Sequence, residues 1–435
     1  MNGFLKKKII LSCVFVFVFA LILNAALYAS GPDEKIIRVL IGDSLSECVI
    51  SSSAGFVVTS DGKEREIPGP EIKAVVNKDK VELFDDNDKS ILISDKPVEI
   101  FSGEADGKLK FRGKQYRGSV VLNPGKNYFR LVNCVKLSEY LYGVLPKEMY
   151  TENAEAAKVQ AVISRTFAVH KMVKNKDKDF DVYDDLRDQS YVGYDIEKDI
   201  MNDSVDLTNG LILAYNGRLA ENLCYHSTCG GTTAASSDVF GGKPVTHLSS
   251  VKCDLSGFLA FLKEKDKDKY DEFKKKNKLD NAGIKLLSES LCSSSKYYKW
   301  KILIDKDQIS ENLPKHSSQR MGGIDNVKVL SKSKDGRNLE LQITGPGRNI
   351  LIRGNKMRWV MAFKDDKGVK RILYSTAFDI TDRKGDVFEI HGSGWGHGVG
   401  LCQVGALKLA DMGACTEDIV EFYYKGVELK NLDEI

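Results

Sequence analysis

The 435-residue chain has no CxxC pair, no internal repeat, no long low-complexity segment and almost no net charge. Its 64 lysines and arginines nearly balance 61 aspartates and glutamates, leaving +3. Nothing in the global electrostatics therefore favours a nucleic-acid partner. The nine cysteines stand singly, which argues against a dithiol redox motif and against a dense disulfide scaffold. What is left is ordinary. With 42% hydrophobic and 29% charged residues, the chain reads as a globular protein long enough for two or three domains with real cores.

The N-terminus departs from that average. Lys6, Lys7 and Lys8 precede an uncharged run from Ile9 to Ser30. About 20 apolar residues span a bilayer, whereas a secretory apolar core is usually roughly 7–15 residues. Lysines ahead of the run place the N-terminus inside and the body outside. Cleavage after Ala29 is the alternative, with Leu27 a poor residue near the cut. The expectation is an uncleaved signal-anchor and a single-pass cell-membrane protein.

The pattern predicts an α+β protein: an anchor and linker over 1–35, a β-rich region over 36–130, and a mixed helix and strand catalytic core over 131–435. "IIRVLIGD", "GFVVTSDGKEREI" and "KNYFRLVN" are β-branched runs bounded by turn residues. After them, Ala154, Ala157, Ala161, Ser164 and Ala168 form a small-residue stripe at helical spacing. Thr151 or Asn153 can cap that helix, which ends near Lys174. "YNGRL" reads as a hairpin turn. A charged stretch over 254–291 reads as a solvated helical insertion.

Three features carry chemistry. Glu148 lies just ahead of the long helix, after the apolar run "YLYGVL". An acid there favours a helix dipole, but an apolar wall would also suit a general acid. His226 and Cys229 in "YHSTCGG", with Cys253 and Cys292, supply the ligand types of a closed, structural zinc site. A Cys253–Cys292 disulfide is the rival there, and Cys224 could replace one ligand. The loop "HGSGWGHGVGLCQVGA" lacks the spacing of a dinucleotide fingerprint, and Trp395 and His397 would crowd a pyrophosphate. It reads instead as a tight turn presenting His397 and Gln403, or as a structural turn around a satisfied histidine.

Taken in order, "VNCVKLSEYLYGVLPKEM", "AEAAKVQAVISRTFAV", "DQSYVGY", "YHSTCGGTT", "SSDVFGG" and "GSGWGHGVGLCQVGALKLADMG" resemble the stage II sporulation protein D family, or SpoIID/LytB domain. The resemblance implies a peptidoglycan lytic transglycosylase cutting after N-acetylmuramic acid during forespore engulfment. It implies as partners glycan strands, a stem-peptide-removing amidase or endopeptidase, and a membrane anchoring protein. It makes Glu148 the catalytic acid and Arg165 an orienting residue, with Tyr191, Ser227, His397 and Gln403 lining a cleft. The "HSTCGG" resemblance also bears on the zinc expectation. The chain departs from the family pattern at Tyr150, where proline is usual, and at Cys402, where serine is common. The family also resembles amidase enhancers, so a non-catalytic peptidoglycan-binding protein is the competing expectation.

Overall fold

Alternation of buried and exposed residues builds the first region. In Glu71–Asn77 the buried positions are Ile72 and Ala74, and in Lys80–Phe84 they are Val81 and Leu83. Such period-two burial leaves one face of each strand for a core. The computed structural model describes residues 35–280, 289–317 and 319–435. Its β-rich region holds a seven-stranded and a six-stranded sheet. Ser119–Gly125 of the first packs on Lys80–Phe84 of the second. Ile36–Leu45 and Tyr128–Lys136 pair antiparallel from Ile36↔Lys136 to Leu45↔Phe129.

The chain divides into two compact units. The first holds the described residues to Tyr150, with Ala168–Ile212 and Asn431–Ile435. The second holds Thr151–Phe167 and Leu213–Lys430. The boundary expected at residue 130 is therefore corrected, because it would cut the paired strand Tyr128–Lys136. The α+β class and the β-rich N-terminal region are as expected. The expected membrane span falls on residues outside the described ones. Among the described residues no helix is long and apolar enough to cross a membrane.

In the second unit, Asn216 and Gly217 both take positive φ at the predicted hairpin turn, the left-handed pair that matches strand twist. The charged insertion forms two helices, Leu255–Lys265 and Lys267–Lys276. Asp254 and Asp266 cap them by accepting from Gly257 N at 2.7 Å and Asp268 N at 2.9 Å. They are not simply solvated. Leu255, Phe258, Leu259 and Leu262 are buried on one face, and Phe258 meets Phe422 edge to face at 5.3 Å. An apolar core in this unit joins Ile304, Leu341, Ile343, Phe388 and Ile390 across two three-stranded sheets.

Leu131 is wholly buried in the first unit's larger sheet. Leu131→Ala should cost about 2–5 kcal/mol and lower the melting temperature clearly. Val49→Thr, at a solvent-facing position, should leave it within about 0.5 kcal/mol of wild type. Parallel thermal melts read both.

Candidate functional site

Glu148 does not stand at the mouth of the long helix. It closes a short helix of its own, Leu145–Glu148, which follows the helix Leu137–Tyr142. Pro146 suits the first turn of such a helix because its missing N–H has no partner there anyway. Val144 and Leu145 are wholly buried, and Glu148 is half-buried at their edge. Its Oε1 accepts the Ser190 N–H at 2.6 Å. That contact holds one carboxyl oxygen against the loop that carries Ser190.

The Ser190 N–H is in turn held by its neighbours. Tyr191, expected to line a cleft, is only 2% exposed; this expectation is corrected. Its hydroxyl donates to Asn133 Oδ1 at 2.8 Å, and its ring lies 5.2 Å from that of Tyr140. The Asn133 amide donates to the carbonyls of Arg117 and Ser119 at 2.9 and 2.8 Å. Tyr191 N–H donates to Asp184 O at 3.1 Å, and Val192 N–H to Gly143 O at 3.1 Å. Asp188 accepts from Tyr183 N at 2.9 Å and pairs with Lys171 at 2.5 Å. The loop carrying Ser190 is thus fastened along its whole length.

In the second unit, Asn153 rather than Thr151 caps the helix Ala154–Lys174, accepting from Ala156 N at 3.1 Å. Ala157, Ala161 and Ser164 of the small-residue stripe are wholly buried, as is Arg165. Gln403, the first residue of the helix Gln403–Asp411, is buried and donates to Gln160 Oε1 at 3.1 Å. Gln160 donates in turn to Ser164 Oγ at 3.0 Å. Arg165 and Gln403 therefore present no open surface to a ligand. Burial fits the orienting role expected of Arg165 and leaves Gln403 a positioning role where cleft lining was expected.

Gly394, Gly396, Gly398 and Gly400 all take positive φ. A Cβ on Gly396 would sit 2.6 Å from His226 Cβ, and one on Gly400 would sit 2.0 Å from Cys224 O. The glycines are there so that this loop can lie against the segment Cys224–Cys229. Trp395 and Thr228 exchange backbone hydrogen bonds at 3.1 and 2.7 Å. Tyr225–His226 runs parallel to Leu401–Cys402.

His397 is held at both ring nitrogens. Nδ1 accepts from Val399 N at 3.0 Å, and the ring also bonds the Tyr225 backbone. Burial, with Arg358 and Arg337 nearby, pushes it down to about 3, so it is neutral at pH 7. Its ring is half-buried and lies 5.5 Å from that of the exposed Phe240. His226 is buried, lies 3.2 Å through Nδ1 from Val399 O, and is also driven neutral, first by burial. It does not join the thiols. Cys229, Cys253 and Cys292 do come together, but their fourth companion is Cys402. Cys224 is not in the group either. Ser227 alone of the cleft candidates keeps a half-buried hydroxyl, 3.3 Å from Thr228 Oγ1.

Sequence reasoning missed two features. Trp395 is 39% exposed and packs, tilted, on Tyr297 at 4.3 Å between ring centroids; its only signal was a bulky aromatic between glycines that require bare backbone. Cys402 was noted as a departure and not as a ligand. An open groove of about 990 Å³, lined by Phe240, Arg353 and Trp359 among others, contains none of the expected site residues.

Residues 125–215 match the family described as Stage II sporulation protein. The chain carries a stage II sporulation protein domain. Stage II sporulation protein D of Bacillus subtilis is 25% identical over 69% of this chain and 76% of its own length. An uncharacterized protein of Brachyspira hyodysenteriae is 26% identical over 76% of this chain and 77% of its own. The amidase enhancer of Bacillus subtilis is 25% identical over 74% of this chain and 45% of its own. Residues 234–400 match a domain of unknown function.

Glu148, Arg165, Ser190 and Tyr191 all lie in the stage II sporulation protein domain. Within it, Gly143 packs directly against Tyr191. A Cβ there would lie 2.6 Å from Tyr191 Cε2, so Gly143→Ala must displace Tyr191 and with it Ser190. We expect the variant to fold with a lowered melting temperature and faster amide exchange at Ser190, read by mass-resolved hydrogen exchange. Outside the domain, His397 has a folded value below its unfolded one of about 6.5, so its neutral form stabilises the fold. That contribution is whole above the unfolded value and is lost as pH falls towards about 3. His397→Asn should lose less melting temperature than wild type between pH 7 and pH 4, read by thermal melts across that range.

Proposed function

We propose that the chain is a peptidoglycan lytic transglycosylase, cleaving glycan strands after N-acetylmuramic acid and leaving 1,6-anhydro ends. The observation that carries this reading is the half-buried Glu148 carboxyl of the sporulation protein domain, oriented by the Ser190 N–H at 2.6 Å. Ordinary glycosidases use two carboxyl groups. A lytic transglycosylase manages with one, because the C6 hydroxyl of the sugar attacks C1. Two acids on the supporting loop are paired elsewhere, Asp188 to Lys171 and Asp185 to Arg187. Glu148 gives its proton to the leaving glycosidic oxygen and then takes the proton of the attacking hydroxyl. Arg165, wholly buried, acts by positioning and not by touching the sugar.

The run Ile9–Ser30 tethers the protein to the cell membrane with its body outside. There it works on glycan strands beside a stem-peptide-removing amidase or endopeptidase and a membrane anchoring protein, during engulfment of the forespore. Likeness to an amidase enhancer favours a second reading, a peptidoglycan-binding protein that raises an amidase's rate without cutting glycan.

Digests of denuded glycan strands, analysed by mass, separate the two. Wild type should yield 1,6-anhydro ends, and Glu148→Gln should reduce them by at least about 10²-fold while glycan pelleting is retained. Intact strands with wild type, together with a faster amidase in its presence, would replace the enzyme by the enhancer.

A further inference from the structure

Four buried cysteines converge in the second unit from segments far apart in sequence. Cys229 lies in the turn after Tyr225–His226, and Cys402 ends the strand paired with it. Cys253 and Cys292 stand at the two ends of the helical insertion, which the Asp254↔Ser290 bridge brings together. Cys253 O accepts from Leu291 N at 2.9 Å and Ser290 Oγ at 2.9 Å. All four sulfurs lie within 4.8 Å of one another, with Cys229 and Cys292 at 3.5 Å. A tetrahedral zinc with Zn–S near 2.3 Å needs sulfurs about 3.8 Å apart. A disulfide needs about 2.05 Å and would use the sulfurs only in pairs.

The surroundings favour thiolates. Cys229 Sγ accepts from Gly231 N at 3.3 Å and Cys402 Sγ from Cys229 N at 3.3 Å. Tyr423 OH lies 3.2 Å from Cys253 Sγ, and Ser290 Oγ lies 3.2 Å from Cys292 Sγ. Cys229, Cys253 and Cys402 thus each have a neighbour able to donate to the sulfur, whereas the Ser290 hydroxyl hydrogen is already given to Cys253 O.

A second, independent observation is Arg337, 1% exposed. Its Nη2 donates to Cys229 O at 2.9 Å, while Nε and Nη1 have no hydrogen-bond partner among the described residues. A buried cation needs negative charge close by. Four thiolates around one dication leave the net negative centre that this guanidinium lacks.

We propose that Cys229, Cys253, Cys292 and Cys402 bind one zinc ion through four sulfurs, as a closed structural site. Four protein ligands leave no position for water, and tetrahedral sulfur coordination suits this metal. The ion pins both ends of the helical insertion to the paired strands that carry His226 and Cys402. This assignment is independent of the glycan chemistry.

Metal analysis of the purified full chain should find one zinc per molecule. Cys402→Ser should lose at least about nine-tenths of it, whereas His226→Asn should keep it. Cobalt exchanged into wild type should give the intense charge-transfer absorption of four thiolates, a readout that holds even if Cys402→Ser does not fold. Absence of stoichiometric zinc would overturn the assignment. So would a disulfide among the four cysteines after alkylation and mass mapping, or a cobalt spectrum of fewer than four thiolates. Loss of zinc in His226→Asn would overturn the all-sulfur set.

Discussion

A buried side-chain amide must find partners for its donors and its acceptor or destabilise the fold, and Asn133 meets that demand with three bonds. Its amide donates to the carbonyls of Arg117 and Ser119, and its oxygen accepts the Tyr191 hydroxyl. It therefore joins an interior strand of the larger sheet, Tyr128–Lys136, to the loop that holds Glu148. Rigidity reaches the carboxyl through an unbroken sequence of contacts, from sheet to Asn133, to Tyr191, to the Ser190 N–H. A general acid has to be held close to one geometry to be useful. The first unit supplies that geometry from its core outward, through Asn133 and Tyr191.

The second unit relies on close backbone approach. Alternate glycines at 394, 396, 398 and 400, all left-handed, bring one loop against the segment that carries His226 and Cys229. Bulkier residues at those positions would collide with backbone or with Arg337. The approach isolates two neutral histidines and gathers four thiols, while Trp395 alone is turned out to solvent. Polar groups in this loop thus serve the fold more than a ligand.

Much of this was legible in advance. Period-two alternation marked the strands of the β-rich region, and the helix with Ala157, Ala161 and Ser164 on its buried side followed from its spacing. Asp254 and Asp266 as caps and Asn216–Gly217 as a hairpin turn are local chemistry, decided by residues adjacent in sequence. Glu148 was legible as an acid set apart, although its own short helix was not, because a one-turn helix has no periodicity to read.

What the sequence by itself determined is therefore what depends on near neighbours: strand alternation, helix faces, caps, turns and the types of reactive group. Tertiary structure alone decided which of those groups meet. It buried Tyr191 behind Ser190, closed both nitrogens of His397, and set Cys402 in place of His226 among the thiols. Those outcomes join residues as far apart as Cys229 and Cys402. Spacing along the chain carries no signal for such contacts, since they exist only once separate strands have paired.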